Sequence, residues 1–283
     1  PGIHVYVLYP KGKVSPIQEC QFTTLGQNIT ALEIDGNFDD CQALVKAAFM
    51  DEALNKHMTL TSANSINVAR FLPQAFYYFN AYAQLDRQGK ADQLVVCVPS
   101  GNFGNITAGL FAYWMGLRFV AANNRNDVFY EYLRTGVYTP KPSVPTLANA
   151  MDVGDPSNFA RIMDLFSVYK DPYEKIRELI SCHRFLDEDI TFVMKRVYNA
   201  TGYVLDPHGA CGYQGLVESA LTKEETGLFL ETAHPAKFKS IVDRVLGIDL
   251  EIPDKLKAFM SGKKQSVNLG RDFDGFKQYL MSR

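Results

Sequence analysis

The sequence predicts an α/β protein built on parallel sheets, and three observations carry that expectation. Short β-rich apolar runs at residues 3–9, 29–34 and 94–98 alternate with stretches of helical periodicity. Between them lie capping and turn residues of the kind that join a strand to a helix, such as Ser15-Pro16 and Asp35-Gly36. Each strand is followed by a helix long enough to bring the chain back for a further strand in the same direction, which favours parallel pairing.

Taken in order, residues 3–9 read as a buried strand that ends at Pro10 and the turn around Gly12. Ser15 is a good N-cap with Pro16 at the first helical position, and Gly26 stops the helix. Residues 29–34 form a second strand. A helix over 38–50 follows, with Phe38, Ala43, Leu44, Ala47 and Ala48 on one side. Residues 59–64 lead into a long apolar helix over 65–85 that Pro73 should kink. Its aromatics (FLPQAFYYFNAY) read as core packing, because no basic residues interleave them as a base-stacking platform would need. A polar linker at 86–92 precedes the strand of 94–98, a glycine loop, and a helix over 105–115.

Only Gly116 and Leu117 then separate that helix from the strand of 118–122, short against the usual connection of about 2–6 residues, so a few residues are expected to be missing here. Residues 138–156, rich in proline and small side chains, read as an extended loop. Helices are expected over 157–166, 171–183 and 187–200, the last stopped by Gly202. A short extended piece at 203–205, a helix from DPHGA, a strand at 227–231 and a helix opened by TAHPAKF complete the reading. A small domain over 1–80 and a larger one over 81–283 are expected.

Composition removes several function classes. Twenty-nine basic against 31 acidic residues leave a net charge of −2, which advertises neither nucleic acid nor an anionic membrane. No apolar run approaches the ~20 residues of a membrane span, so a cytoplasmic setting is expected. The five cysteines, Cys20, Cys41, Cys97, Cys182 and Cys211, are scattered without a metal-ligand or disulfide spacing and read as reduced, buried small hydrophobes. No metal is expected. The chain opens on Pro1 without an initiator Met, and something is expected to precede it.

The stretch QLVVCVPSGNFGNITAGLFA (93–112) is the chemical centre. Gly101 and Gly104 permit positive φ and close approach to a ligand, and the helix from Asn105 would present N–H groups and the positive end of its dipole. Ser100, Asn102 and Asn105 add short polar groups without charge. Such a loop suits a phosphate, or it is an ordinary strand-to-helix turn of an α/β domain. It is neither a P-loop, lacking Lys-Ser/Thr, nor a dinucleotide fingerprint, lacking the third glycine.

Five stretches together go further. SANSINVAR (62–70), VPSGNFGNITAGL (98–110), NAMDVGDPSN (149–158), LDPHGACGY (205–213) and ETAHPAKF (231–238) resemble, in order and over nearly the whole length, the signature segments of the threonine synthase family among fold-type-II pyridoxal-phosphate enzymes. The resemblance implies two parallel-sheet domains flanked by helices, incomplete at the N-terminus, pyridoxal 5'-phosphate as cofactor, and conversion of O-phospho-L-homoserine and water to L-threonine and phosphate by a monomer or homodimer. It implies that Gly101, Asn102, Phe103, Gly104 and Asn105 cradle the cofactor phosphate and that Thr232 faces the pyridine nitrogen. Asn64, Ser65 and Arg70 match the segment that grips the substrate phosphate. Read without the family, Thr232 is alternatively a cap for the following helix, and Arg70 a solvated helix arginine. His208 and His234 read as structural, and Asp206 is given no role.

Family members carry a Schiff-base lysine between phenylalanine and aspartate, upstream of everything here, and no lysine in this sequence has that context. Lys237 and Lys239 belong to a different motif. No catalytic residue is therefore identified. The chain resembles the C-terminal two thirds of the family's members and is expected not to turn over by itself. A related phospholyase acting on another phosphorylated amino acid, or a non-catalytic module that binds a phosphate compound, are the competing readings.

Overall fold

The computed structural model describes residues 2–64, 67–112 and 115–283. Among the described residues the strands are β1 (Val5–Pro10), β2 (Ile29–Ile34), β3 (Leu94–Pro99), β4 (Arg118–Asn123), β5 (Ile180–Arg184), β6 (Thr226–Phe229) and β7 (Ser266–Leu269). They form a three-stranded sheet in the order β1-β2-β7 and a four-stranded sheet in the order β5-β4-β3-β6. Every pairing is parallel, as the alternation of strands and helices requires.

The chain divides into two compact units. The first is Pro1–Thr61 with Ala236–Phe238 and Leu250–Arg283, and the second is Ser62–Pro235 with Lys239–Asp249. The C-terminal segment returns to the first unit because β7 pairs with β2 from Ala31↔Ser266 to Ile34↔Leu269. The helix Phe273–Met281 then places Phe276 and Leu280 in one core with Leu32, Ile34, Leu44 and Leu54.

In the first unit, Ser15 caps the helix Pro16–Thr23 through a capping box. Its Oγ accepts the Gln18 N–H at 3.2 Å, and the Gln18 side chain accepts the Ser15 N–H at 3.2 Å. The helix Phe38–Met50 buries Cys41, Leu44 and Ala48, while Phe38 and Ala43 are exposed. The inward stripe runs through 41, 44 and 48, at i, i+3 and i+7, so the cysteine takes the place expected of Phe38.

In the second unit helices cover both faces of the sheet. On one face Leu94, Val96, Val98, Phe119 and Ala121 pack with Tyr78, Phe129 and Ile162. On the other lies the helix Pro207–Glu218, so close that a Cβ on Gly215 would stand 2.6 Å from Cys97 Sγ. The expected long helix is broken into Val68–Phe71, a 3-10 turn at Leu72–Gln74 and Ala75–Asp86, with the break at Pro73. Of its aromatics Phe71 and Tyr78 are buried, but Phe76, Tyr77 and Phe79 are exposed, so only part of this run is core.

The helix after the glycine loop is Gly104–Leu110, ending five residues earlier than periodicity suggests. Its connection to β4 is accordingly longer than two residues, and the tightness that suggested missing residues is not there. Residues 180–183, expected as the end of a helix over 171–183, leave it at Leu179 and pair with β4 from Phe119↔Ile180 onward. All five cysteines are free thiols; Cys41, Cys97 and Cys211 are buried as expected, but Cys20 and Cys182 are only half-buried.

Candidate functional site

The order β5-β4-β3-β6 contains a change of direction. From β3 the chain moves outward through β4 and β5, then returns to place β6 on the other side of β3. The loops leaving β3 and β6 diverge at their carboxyl ends, and in open α/β sheets the crevice at such a point is where ligands bind. The loop leaving β3 holds Gly101 to Asn105. The segment leaving β6 holds Glu231 and Thr232, and it is registered by Leu230 N–H bonding to Cys97 O at 3.0 Å. Two of the stretches singled out in the sequence therefore flank one crevice, and Thr232 is exposed there.

Within the glycine loop the geometry differs from expectation at the glycines themselves. Neither Gly101 nor Gly104 has positive φ; the left-handed residue is Phe103, at φ 61° and ψ 12°. Its ring, buried and 4.6 Å from that of Phe129, holds it in a conformation that a non-glycine residue adopts only at a cost. Gly101 is required for close approach instead. A Cβ there would lie 2.6 Å from Met151 Cα and 3.0 Å from Ala150 O. The left-handed turn at Phe103 sets the first-turn N–H groups of Gly104–Leu110 at the end of β3, ahead of the first helical bond from Thr107 N–H to Phe103 O.

The polar side chains of the loop brace it. Ser100 Oγ, buried, donates to Val98 O at 2.8 Å. Asn102 Oδ1 accepts from Ser157 N–H at 2.6 Å and from its hydroxyl at 2.9 Å, and Asn102 O accepts from Asn158 Nδ2 at 2.8 Å. The Tyr78 hydroxyl donates to Asn105 Oδ1 at 2.7 Å. In Asn105 the protein engages the carbonyl end of the side chain, so the end it can turn to an anion is the amide NH2, a donor.

Asn64 and Arg70, expected from the sequence to grip the substrate phosphate, lie in the same unit. Asn64 and Arg70 are exposed, and Ser65 lies outside the described residues. Arg70 is carried by the helix Val68–Phe71, whose Phe71 packs against Ala108 of the helix that begins in the glycine loop. Arg161 adds a second tie, with its guanidinium 5.1 Å from the Phe71 ring centroid and a 2.5 Å bond to Asn158 Oδ1.

Sequence reasoning gave no role to several residues the structure gathers here. Asp206, buried, caps the helix Pro207–Glu218 by accepting the His208 and Gly209 N–H groups at 2.6 and 3.1 Å. Its Oδ1 also accepts His208 Nδ1–H at 3.0 Å. On the far side of the imidazole, Nε2 accepts the Ala150 N–H at 3.1 Å. Glu231 accepts the Tyr203 hydroxyl at 2.6 Å and the Asp206 N–H at 3.2 Å, and its burial pushes the carboxyl pKa up. The signal available beforehand was DPHG, an Asp-Pro helix start with a histidine one residue on. His234, exposed, stands near enough to Glu231 for its charge to favour the ionised carboxylate, against the effect of burial.

Beside the loop, at the end of β4, lies a bed of buried amides and carboxylates that the sequence did not announce. Asn123 Nδ2 donates to Ser100 O at 2.7 Å. Asn124 reaches Asp152 at 2.8 Å and Ala148 O at 3.2 Å, and Asn126 reaches Val144 O at 2.9 Å. These bonds fold the 141–155 segment over the strand end and bring the Asn149–Met151 turn against Gly101. Asp127, buried, pairs with Arg184 at 2.7 Å and Lys141 at 3.1 Å. Burial pushes its carboxyl up, but the two cations outweigh that and hold its pKa below the usual range. Among the described residues no group of three or more His, Cys, Asp or Glu is placed to hold a metal ion.

Comparison with known proteins bears on this arrangement. The family described as "Pyridoxal-phosphate dependent enzyme" matches residues 2–231, and that described as "Threonine synthase, C-terminal" matches 209–280. A threonine synthase of Haemophilus influenzae is 46% identical over 283 residues, covering 99% of this chain and 65% of the relative. The crystal structure of threonine synthase from Escherichia coli superposes with a TM-score of 0.90 at 44% identity, covering 100% of this chain and 65% of that one. The structure of PLP-bound threonine synthase from Brucella melitensis gives 0.87 at 32% identity, covering 99% and 65%. The chain thus spans about 65% of the length of the relatives it matches. Because the first family runs through both the glycine loop and the end of β6, the chain belongs to the pyridoxal-phosphate dependent enzymes, with the architecture of their fold type II.

Proposed function

We propose that this chain serves a threonine synthase, converting O-phospho-L-homoserine and water to L-threonine and phosphate. The observation that carries the reading is the pairing of the glycine loop with the Thr232 segment across the switch point, in a chain 46% identical to a threonine synthase. The loop's chemistry fits the cofactor's phosphate. Its donors are backbone N–H groups at a helix start and the Asn105 amide NH2, and no carboxylate occurs from Pro99 to Leu110. When bound, pyridoxal phosphate supplies an electron sink for carbon acids that no side chain offers.

The remaining work belongs to the protein. Gly101, Asn102, Phe103, Gly104 and Asn105 hold the cofactor phosphate. Thr232 offers the ring nitrogen a neutral hydroxyl, which does not demand that the nitrogen be protonated as a carboxylate would. Asn64, Ser65 and Arg70 grip the substrate phosphate, the arginine through a fork suited to two phosphate oxygens. The setting in this reading is cytoplasmic, in keeping with five free cysteines, and the assembly a monomer or homodimer.

Phosphorus NMR tests the proposal. Titrating the chain with pyridoxal phosphate and then with O-phosphohomoserine should reveal two independent phosphate sites, and Arg70→Ala should weaken the second without affecting the first. A single shared site would instead favour the module that merely binds a phosphate compound. That alternative draws on one sequence observation, the absence of a lysine between phenylalanine and aspartate.

A further inference from the structure

The Asp206–His208 pair ties together the two sides of the crevice. Through Nε2, His208 holds the Ala150 N–H at 3.1 Å, and Ala150 belongs to the Asn149–Met151 turn that abuts Gly101. Through its own backbone N–H, Asp206 holds the Glu231 carboxylate at 3.2 Å, and Glu231 immediately precedes Thr232. The two residues meet at the 3.0 Å bond between His208 Nδ1 and Asp206 Oδ1.

The tautomer follows from the partners. A carboxylate accepts, so Nδ1 carries the proton; a backbone N–H donates, so Nε2 is bare. The ring is therefore a neutral spacer of fixed polarity, with a donor at one end and an acceptor at the other. A buried capping carboxylate holds it in place, and only about an eighth of its side chain is exposed, 13%.

Resting on the cofactor-site reading above, we propose that His208 is a positioning residue that sets the glycine loop against the Thr232 segment by holding the Asn149–Met151 turn on Gly101. It touches neither cofactor nor substrate in this role. Its effect passes through the Ala150 N–H to Gly101, a glycine of the loop at which a side chain has no room.

Two substitutions separate this role from simple support of the fold. His208→Asn keeps a group near Nδ1 that can donate to Asp206 but cannot reach Ala150. His208→Gln places its amide oxygen near the former Nε2 and keeps the acceptor. Pyridoxal phosphate affinity, read from the phosphorus resonance on titration, should fall about tenfold in His208→Asn, the worth of one such hydrogen bond. It should return to within about threefold of wild type in His208→Gln. Hydrogen exchange at the Ala150 amide should quicken in the first variant and recover in the second, while β3 and β4 amides stay as in wild type.

Wild-type affinity in His208→Asn, or unchanged Ala150 exchange, overturns the inference alone. Failure of the wild-type chain to take up pyridoxal phosphate overturns the underlying reading and the inference with it. If His208→Asn does not fold, the wild-type chain decides: bound pyridoxal phosphate should slow Ala150 exchange, and exchange indifferent to the ligand overturns the proposal.

Discussion

At the scale of single residues, the site depends on two backbone facts that point in opposite directions. Phe103 is a bulky residue in a left-handed conformation, and Gly101 is a glycine in an ordinary one. The first is tolerated because its ring is buried against Phe129. The second is needed because Met151 Cα stands where a Cβ would go, at 2.6 Å. We expect Gly101→Ala to push the loop and the Asn149–Met151 turn apart, destabilising the chain by about 1–3 kcal/mol as an overpacked site does. The drop should be visible in the urea midpoint with the slope unchanged. Pyridoxal phosphate binding should weaken in the same variant. Wild-type midpoint and binding together would show that the contact yields easily. GNFGN was legible in the sequence as a strand-to-helix glycine loop, but which residue takes the unusual φ was not, because the Phe103 ring packs on Phe129, 26 residues further along the chain.

At the scale of elements, the 141–155 segment is held by buried polar partners instead of secondary structure, and Asp127 between Arg184 and Lys141 is its charged anchor. Its pKa is lowered, so the stabilisation is complete above the unfolded-state value and is lost as pH falls through the folded one. With the ordinary aspartate value at 3.8, the loss falls below that pH. Asp152 and Glu231, whose carboxyls burial raises, titrate with the opposite sign. Comparing wild type with Asp127→Asn therefore isolates the anchor: the stability difference measured in urea at pH 7 should shrink as the pH falls toward 3. A difference independent of pH would show that the pair contributes nothing through charge. The sequence showed this segment only as a proline-rich loop. Periodicity reports burial of apolar faces, and a loop satisfied by amide bonds has no such period.

At the scale of the whole molecule, the first unit is closed by chain from both ends. Removing residues 250–283 would take away β7 and the helices Asp254–Met260 and Phe273–Met281, leaving β1 and β2 as a two-stranded sheet, marginal in water. Losing Phe276 alone removes a buried aromatic worth about 3–5 kcal/mol. We expect β1 and β2 amides to lose exchange protection in such a truncation while β3 and β4 keep theirs, since the second unit has its own core. Retained protection in β1 would refute this. A second expectation concerns chemistry. With no lysine in the family's anchoring context, these 283 residues should bind pyridoxal phosphate yet release no phosphate from O-phosphohomoserine. Robust turnover by a chain proven to be this length would overturn it.

The sequence by itself determined the class of the fold, the strand–loop–helix at its centre, the capped helix at Ser15 and the family, because all of these are written in local pattern: periodicity, caps, and short motifs in a fixed order. It also marked the two stretches that leave β3 and β6 at the switch point of the second sheet. The tertiary structure decided what local pattern cannot carry. The segment after residue 249 completes the first sheet because its strand pairs with one more than 200 residues earlier. Residues 180–184 became a strand because β4 offered an open edge. Gly101 is needed for space instead of φ, and His208 is a brace, because their partners come from segments about 50 or more residues away, brought to the same sheet end by parallel crossovers.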